Sequence, residues 1–390
     1  MYDWILFDID GVMLSEERYF DASALAIYEL LASPRYLRLT FTGMRELDVR
    51  PDDETVREIR ARVFHDDEFL RFIKGRGVNA NWDMVYLQFV AVLAAVADSL
   101  PAKTRQAWLP RELPATSVDG ATATLNATDR RRALVEGMRQ FVAAAPILTG
   151  DVFRNYARLF EDCQGKDDLF SVCRRVLEPI LGDAAQALWD LGKDVFQEWY
   201  LGDAYAGPAW HGQPTGKIGY LEQERPVVPP DEFRQLLDDV LSKGLQIGIA
   251  TGRPRLETEV PLRSFDWLSR FDRNRITTAS EVLEAQALRP GQPLSKPHPF
   301  SYLRSYLGTT DLAAVLDAPL PLPPSAGRRV LIVGDSVADA LAARAMGCHF
   351  AAVLTGLEGA AARELFASLD CNYVLDNVLE LKQVLAAAVK

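Results

Sequence analysis

The sequence predicts an α/β protein: a parallel sheet core with a large, all-helical domain inserted after its first strand. Three observations predict it. Short apolar runs alternate with helical patterns from about residue 226 onward, as in a parallel sheet covered on both faces. Between the first apolar run and the second, residues 16 to 225 carry helical periodicity and no clear strand. The apolar runs also end in polar residues, which in a parallel sheet all fall on one edge.

The elements follow in order. Trp4-Ile5-Leu6-Phe7 reads as a buried strand that ends in Asp8 and Asp10. Buried strands seldom carry unpaired carboxylates, so this pair is solvated, paired or holding a cation. In the insert, Val56, Ile59, Val63 and Phe64 share one helical face. Leu169, Val172, Val176 and Ile180 share a second, with Pro179 kinking or ending that helix. Leu188, Leu191, Val195 and Trp199 share a third, for which Asp183 is a candidate cap. Trp82, Trp189, Trp199 and Trp210 read as core of the insert. Gly207–Pro230, rich in Gly and Pro, reads as the returning linker. A helix is then predicted on Phe233, Leu236, Leu237, Val240 and Leu241, with Asp231 capping its start and Gly244 ending it. Strands are predicted at Leu245–Ala250, Arg275–Thr278, Val330–Val333, His349–Leu354 and Asn372–Leu375, with a Pro-rich loop at Pro319–Pro324. The domain plan is a core of residues 1–15 and 226–390, with 16–225 as helical insert plus return linker.

Composition excludes several classes. With 48% apolar and 25% charged residues, the chain has the make-up of an ordinary soluble protein. A net charge of −11 argues against a nucleic-acid binder, and Arg130-Arg131-Arg132 reads as a solvated helix start. Cys163, Cys173, Cys348 and Cys371 form no CxxC pair, which suits reduced thiols in a cytosolic protein. The most apolar stretch, Val85–Ala97, is interrupted by Gln88 and is shorter than the roughly 20 residues a bilayer requires. The N-terminus runs straight into a strand without a charged n-region or cleavage site, so a cytoplasmic location is expected.

Four polar clusters carry the chemistry. Asp8 and Asp10 end the first strand, and Thr251 and Gly252 end the second. Lys296 lies before the helix expected to begin at Pro297. Asp335 ends a later strand, with Asp339 in the next helical turn. This inventory suits phosphoryl transfer. Asp8 is the candidate nucleophile, since a carboxylate attacking phosphorus forms an acyl phosphate. Lys296, Thr251 and the N–H of Gly252 are candidates for holding the phosphate oxygens. Phosphate beside several carboxylates calls for a cation, and all-oxygen ligands favour Mg²⁺; Asp8, the Asp10 carbonyl and Asp335 are the expected ligands. Asp10 is the candidate general acid and base. His298 and His349 read as packing or solvated residues, and Arg253 and Arg255 as either substrate contacts or exposed side chains.

These clusters, in this order, resemble motifs I to IV of the haloacid dehalogenase (HAD) superfamily, and specifically its aspartate-nucleophile phosphatases. "DIDGV" matches the first motif, "ATGR" the second, Lys296 the third and "GDSVAD" the fourth. The resemblance covers about residues 1–15 and 226–390. It implies a Rossmann-like sheet with a helical C1 cap between the first two motifs, and the helical patterning of residues 16–225, entering beside Asp10, leads us to expect that this cap closes over the phosphate site. "TGRP", "KPHP" and "GDSVADALAARAMG" look most like the phosphoglycolate-phosphatase branch, from which the long insert departs. The expected substrate is a small phosphorylated metabolite, with no nucleic-acid or membrane partner.

Singly, each motif also reads as something ordinary: a calcium loop or turn, an exposed lysine, a helix-start charge at Asp339. Three rival functions keep much of the set. A dehalogenase has no use for the second acid, Asp10. A phosphomutase keeps every motif. A phospho-receiver uses Asp, Thr and Lys with Mg²⁺ but is a single small domain.

Overall fold

Each of the six predicted strands forms, and all six lie parallel in one sheet. The computed structural model describes residues 2–102, 127–181, 185–207 and 212–387. The strands are β1 Trp4–Phe7, β2 Gln246–Ala250, β3 Ile276–Thr277, β4 Val330–Gly334, β5 His349–Val353 and β6 Tyr373–Leu375. Their order across the sheet is β3-β2-β1-β4-β5-β6. The chain steps outward from β1 through β2 to β3, then crosses back to β4 on the other side of β1. β1 and β4 therefore flank the switch point, where open α/β sheets leave a crevice beyond their strand ends. Phe7 pairs with Ile249 on one side and Val333 on the other, which sets the ends of β1, β2 and β4 level.

Alternation along β1 divides the core into two layers. Ile5 and Phe7 point to one face, where Phe233, Leu236, Leu237, Val240, Trp267 and Leu381 cover them. Leu6 points to the other, packed with Phe300, Leu303, Ala342, Ala343 and Met346. Leu241, expected on the buried face of its helix, is instead 37% exposed. That helix spans Pro230–Ser242 with Pro229 in the capping position. Asp231 does not cap it; it lies within the first turn and pairs with Arg234 at 2.8 Å. Gly244 follows the helix with φ +78°.

The chain divides into two compact units, Met1–Glu17 with Leu221–Lys390, and Arg18–Tyr220. Leu221–Arg225 thus belongs to the sheet unit and not to the insert. Hydrogen bonding explains why. Ser15 N–H donates to the Arg225 carbonyl (2.7 Å), and Val227 N–H donates to that of Met13 (3.0 Å). Leu14 bridges Pro226 in antiparallel fashion, and Arg225 pairs with Glu17 at 2.7 Å. The outgoing and returning segments form a laced neck within the sheet unit.

The second unit is helical and, among its described residues, contains no strand. The predicted faces lie on helices Asp53–Val63, Lys166–Leu181 and Ala185–Tyr205. The second of these runs two residues beyond Pro179; Asp183 and Trp210 lie outside the described residues. Helix Asn81–Ser99 is long and apolar enough to cross a membrane, and 72% of its apolar window is buried inside the protein. Gln88 interrupts its run without exposing it. Fully buried, its amide donates to the carbonyls of Val63 and Phe153 at 2.5 and 2.9 Å, so no polar N–H is left unpaired. Trp199 is buried and donates to Glu29 at 2.7 Å, and Trp82 packs edge-on against Trp189. Arg131, in the expected solvated run, pairs with Asp194 at 2.6 Å.

Candidate active site

The sheet places Asp8 one residue past β1, Thr251 one past β2 and Asp335 one past β4, all at the same edge. Asp8 is buried, and its two oxygens differ. Oδ1 accepts the N–H of Ile9 at 2.8 Å and pairs with the Lys296 ammonium at 2.8 Å. Oδ2 has no hydrogen-bond partner among the described residues. Burial, the largest influence, pushes the Asp8 carboxyl from 3.8 to about 7; Lys296 pulls it down, while Asp339 and Asp10 push it up.

Lys296 also reaches Asp339 at 2.8 Å. Burial alone would lower its ammonium, but the Asp339 and Asp8 carboxylates outweigh that and hold it above its ordinary value, so it stays charged. Helix Phe300–Leu307 starts three residues later than expected. Pro299 occupies its capping position, and His298 accepts the N–H of Phe300 through Nδ1 at 3.2 Å. Lys296 is thereby left in the turn ahead of the helix, where His298 N–H donates to the Ser295 carbonyl, and from there it reaches Asp8 beyond β1. His349 packs against Tyr2 and accepts or donates at 2.7 Å through Nδ1.

Asp339 does more than charge a helix start. It closes a capping box with Ser336 on helix Val337–Met346. It is fully buried and also accepts from Tyr302 Oη at 2.8 Å. Tyr302, buried with its ring 4.9 Å from the Lys296 ammonium, has no counterpart among the predicted site residues. Burial and the Asp339 charge hold its phenol well above the ordinary value, so it remains a donor. A lone tyrosine on an apolar helix face reads as core, and its spacing carries no signal.

Side-chain oxygens of Asp8, Asp335 and Asp339 all lie within 4.8 Å of one another. Three carboxylates against one ammonium leave a net charge of −2 when ionised, which suits a divalent cation. Asp335 is also tightly seated. A Cβ at Gly11, where φ is +67°, or at Gly356 would collide with its carboxylate. The donor set is all-oxygen, and the residues fit Mg²⁺.

The Asp10 carboxylate is not part of that cluster. Its Oδ1 accepts from Arg253 Nε at 2.9 Å and Nη2 at 2.6 Å. Of the two expectations for Arg253, the exposed one fails: it is 2% exposed, and its Nη1 donates to Glu224 at 2.8 Å. Arg255 pairs with Glu259 and Glu281. Thr251 is buried, its N–H donating to the Thr277 carbonyl and its hydroxyl accepting the N–H of Arg253. Gly252 is exposed, and a Cβ there would meet nothing within 4 Å, so the loop's outer side is open.

A family model described as HAD-hydrolase-like matches residues 293–381, the stretch carrying Lys296, Asp335 and Asp339. An X-ray structure from the Northeast Structural Genomics Consortium is 32% identical, covering 100% of this chain and 99% of its own, with a TM-score of 0.78. The chain belongs to the haloacid dehalogenase superfamily. More distant structural matches include a phosphatase from Thermococcus thioreducens (16% identity, 87% of this chain and 85% of that one, TM-score 0.40). A hydrolase from Pseudomonas syringae follows (14%, 98% and 97%, TM-score 0.37). No curated protein matches the sequence. Within the HAD fold described here, the four sequence motifs meet at one sheet edge, with Lys296 joining the first to the fourth.

Proposed function

We propose that this protein is a Mg²⁺-dependent phosphatase that hydrolyses a small phosphate monoester through an aspartyl-phosphate on Asp8. The observation that carries the reading is the Lys296 ammonium seated 2.8 Å from both Asp8 and Asp339, beside Asp335. It leaves Asp8 anchored through Oδ1 and open at Oδ2. Asp8, Asp335 and the Asp10 carbonyl would hold the cation, with Asp339 fixing Lys296 behind them. When bound, Mg²⁺ supplies charge that offsets repulsion between a phosphate dianion and these carboxylates.

Asp8 Oδ2 attacks phosphorus, and the ester P–O bond breaks as Asp10 gives its proton to the leaving oxygen. Lys296 and the Thr251–Gly252 loop hold the non-bridging oxygens. Asp10 then takes a proton from water as that water attacks the phosphorus. The P–O bond to Asp8 breaks, releasing inorganic phosphate. The helical insert is the part of the chain we assign to substrate selection, as a cap, and the cytoplasm is the compartment its free thiols suit.

Steady phosphate release from p-nitrophenyl phosphate with Mg²⁺ tests the reaction. Many turnovers by the wild type and none by Asp8→Asn are expected. A single labelling event per chain would overturn hydrolysis in favour of a receiver. Obligatory transfer to a second substrate hydroxyl would overturn it in favour of a mutase. A panel of phosphorylated metabolites, 2-phosphoglycolate included, then identifies the ester.

A further inference from the structure

Asp10 is held in an unusual way for a group that must deliver a proton. One guanidinium places two N–H groups, Nε and Nη2, on the same oxygen, Oδ1. Two charge-assisted donors on one acceptor hold that oxygen in place and leave the other oxygen of the carboxylate uncommitted to the guanidinium. The guanidinium is itself anchored. Arg253 and Glu224 side chains are each 1% exposed and meet at 2.8 Å through Nη1. Glu224 is not a member of the Asp8–Asp335–Asp339 carboxylate cluster. It lies in the returning half of the neck, next to Arg225, which is tied to Ser15 and Glu17. The backbone on the other side of Asp10 is fixed too, since the Gly11 N–H donates to the Leu14 carbonyl at 2.8 Å.

A buried ion pair contributes little net stability but fixes geometry, because neither charge can leave its partner. Here that rigidity points at a single oxygen. Oδ1 is committed to Arg253, and Oδ2 is the oxygen left for proton transfer.

We propose that Arg253 is a positioning residue that aims Asp10, and that Glu224, from the neck, sets the orientation of Arg253. The inference rests on the phosphatase reading, in which Asp10 protonates the leaving oxygen and then activates water. In that reading neither side chain is assigned a contact with the ester. Their loss therefore acts only on the steps in which Asp10 moves a proton.

Two esters separate those steps. 2,4-Dinitrophenolate leaves without a proton, whereas an alkoxide needs one. The value of kcat/KM reports phosphoryl transfer to Asp8, and kcat for the dinitrophenyl ester reports hydrolysis of the acyl phosphate. The experiment measures both, with Mg²⁺ and the full chain, for wild type, Glu224→Gln, Arg253→Lys and Arg253→Met, with thermal unfolding as a check on folding. Glu224→Gln is nearly isosteric and keeps the measurement possible if Arg253→Met, which strands a buried carboxylate, does not fold. For Glu224→Gln, kcat/KM on an alkyl phosphate should fall at least tenfold while that on the dinitrophenyl ester stays within threefold, and kcat on the dinitrophenyl ester should fall as well. Arg253→Lys, which keeps the charge, should recover part of the loss seen in Arg253→Met. Equal losses in kcat/KM on both esters, or no loss on either, would overturn the inference and leave the phosphatase reading standing. Absence of wild-type turnover on every ester would overturn both.

Discussion

Asp8→Asn should abolish turnover and yet stabilise the metal-free protein at neutral pH. The carboxyl of Asp8 titrates near 7 in the folded chain against an ordinary 3.8, chiefly because of burial. Its protonated form is therefore the one folding favours. That contribution is fully present below pH 3.8, shrinks as pH rises, and is gone once pH passes about 7. The displacement corresponds to about 4 kcal/mol at pH 8, of which about 2–3 kcal/mol is lost between pH 5 and pH 8. Asparagine carries no such charge and escapes this loss. Urea unfolding in excess chelator, run at pH 5 and pH 8 on both proteins, measures it. The stability gap in favour of Asp8→Asn should widen by about 2–3 kcal/mol between the two pH values. Adding Mg²⁺ should narrow or reverse it, because the cation stabilises only the ionised site. A gap that does not change with pH, or an Asn variant less stable than wild type at pH 8 without metal, would refute the reasoning.

Lys296→Met should remove activity and cost about 3–5 kcal/mol in unfolding free energy, because it strands the buried Asp8 and Asp339 carboxylates. Asp335→Ala should raise the Mg²⁺ concentration needed for half-maximal activity sharply or abolish activity, and full activity in excess chelator would refute metal dependence. Binding of Mg²⁺ should release protons below about pH 7, as Asp8 gives up its proton; calorimetry in buffers of different ionisation enthalpy reads this directly. Tyr302→Phe should cost about 1–2 kcal/mol by removing the phenol bonded to Asp339, while leaving turnover within about tenfold.

The elements that could be read in advance are those whose chemistry is written locally. Asp8, Thr251 and Asp335 each follow an apolar run, and a parallel sheet must bring such ends together wherever they fall in the chain. Arg253 could not be read this way. It is one residue past a recognisable turn, but its partners are Asp10, 243 positions away, and Glu224, in a segment that looks like a plain linker. Tyr302 is hidden for a similar reason, since a helical apolar face conceals which of its members carries a hydroxyl toward Asp339. Local rules also misplaced two helix features. Proline can begin a helix at either Pro297 or Pro299, and only the reach required of Lys296 and the His298 contact decide between them. Asp231 has the composition of a cap, but Pro229 and Pro230 already set the start of that helix, so the carboxylate turns to Arg234.

The laced neck has a consequence for how such a chain can be rebuilt. Ser15 and Arg225 meet in a direct hydrogen bond, so the sheet unit sees the whole inserted segment as a loop whose ends are already joined. Closing an unstructured loop of roughly 200 residues would cost about 4–5 kcal/mol of chain entropy, a penalty that grows only logarithmically with length. Segments of very different size are therefore interchangeable at this junction with little effect on the sheet beneath. New chain termini opened inside the insert, with the natural ones linked, should likewise leave the register of β1 against β2 and β4 intact. Grafting and permutation at the neck are then the natural route to new selectivity on an unaltered carboxylate–lysine centre.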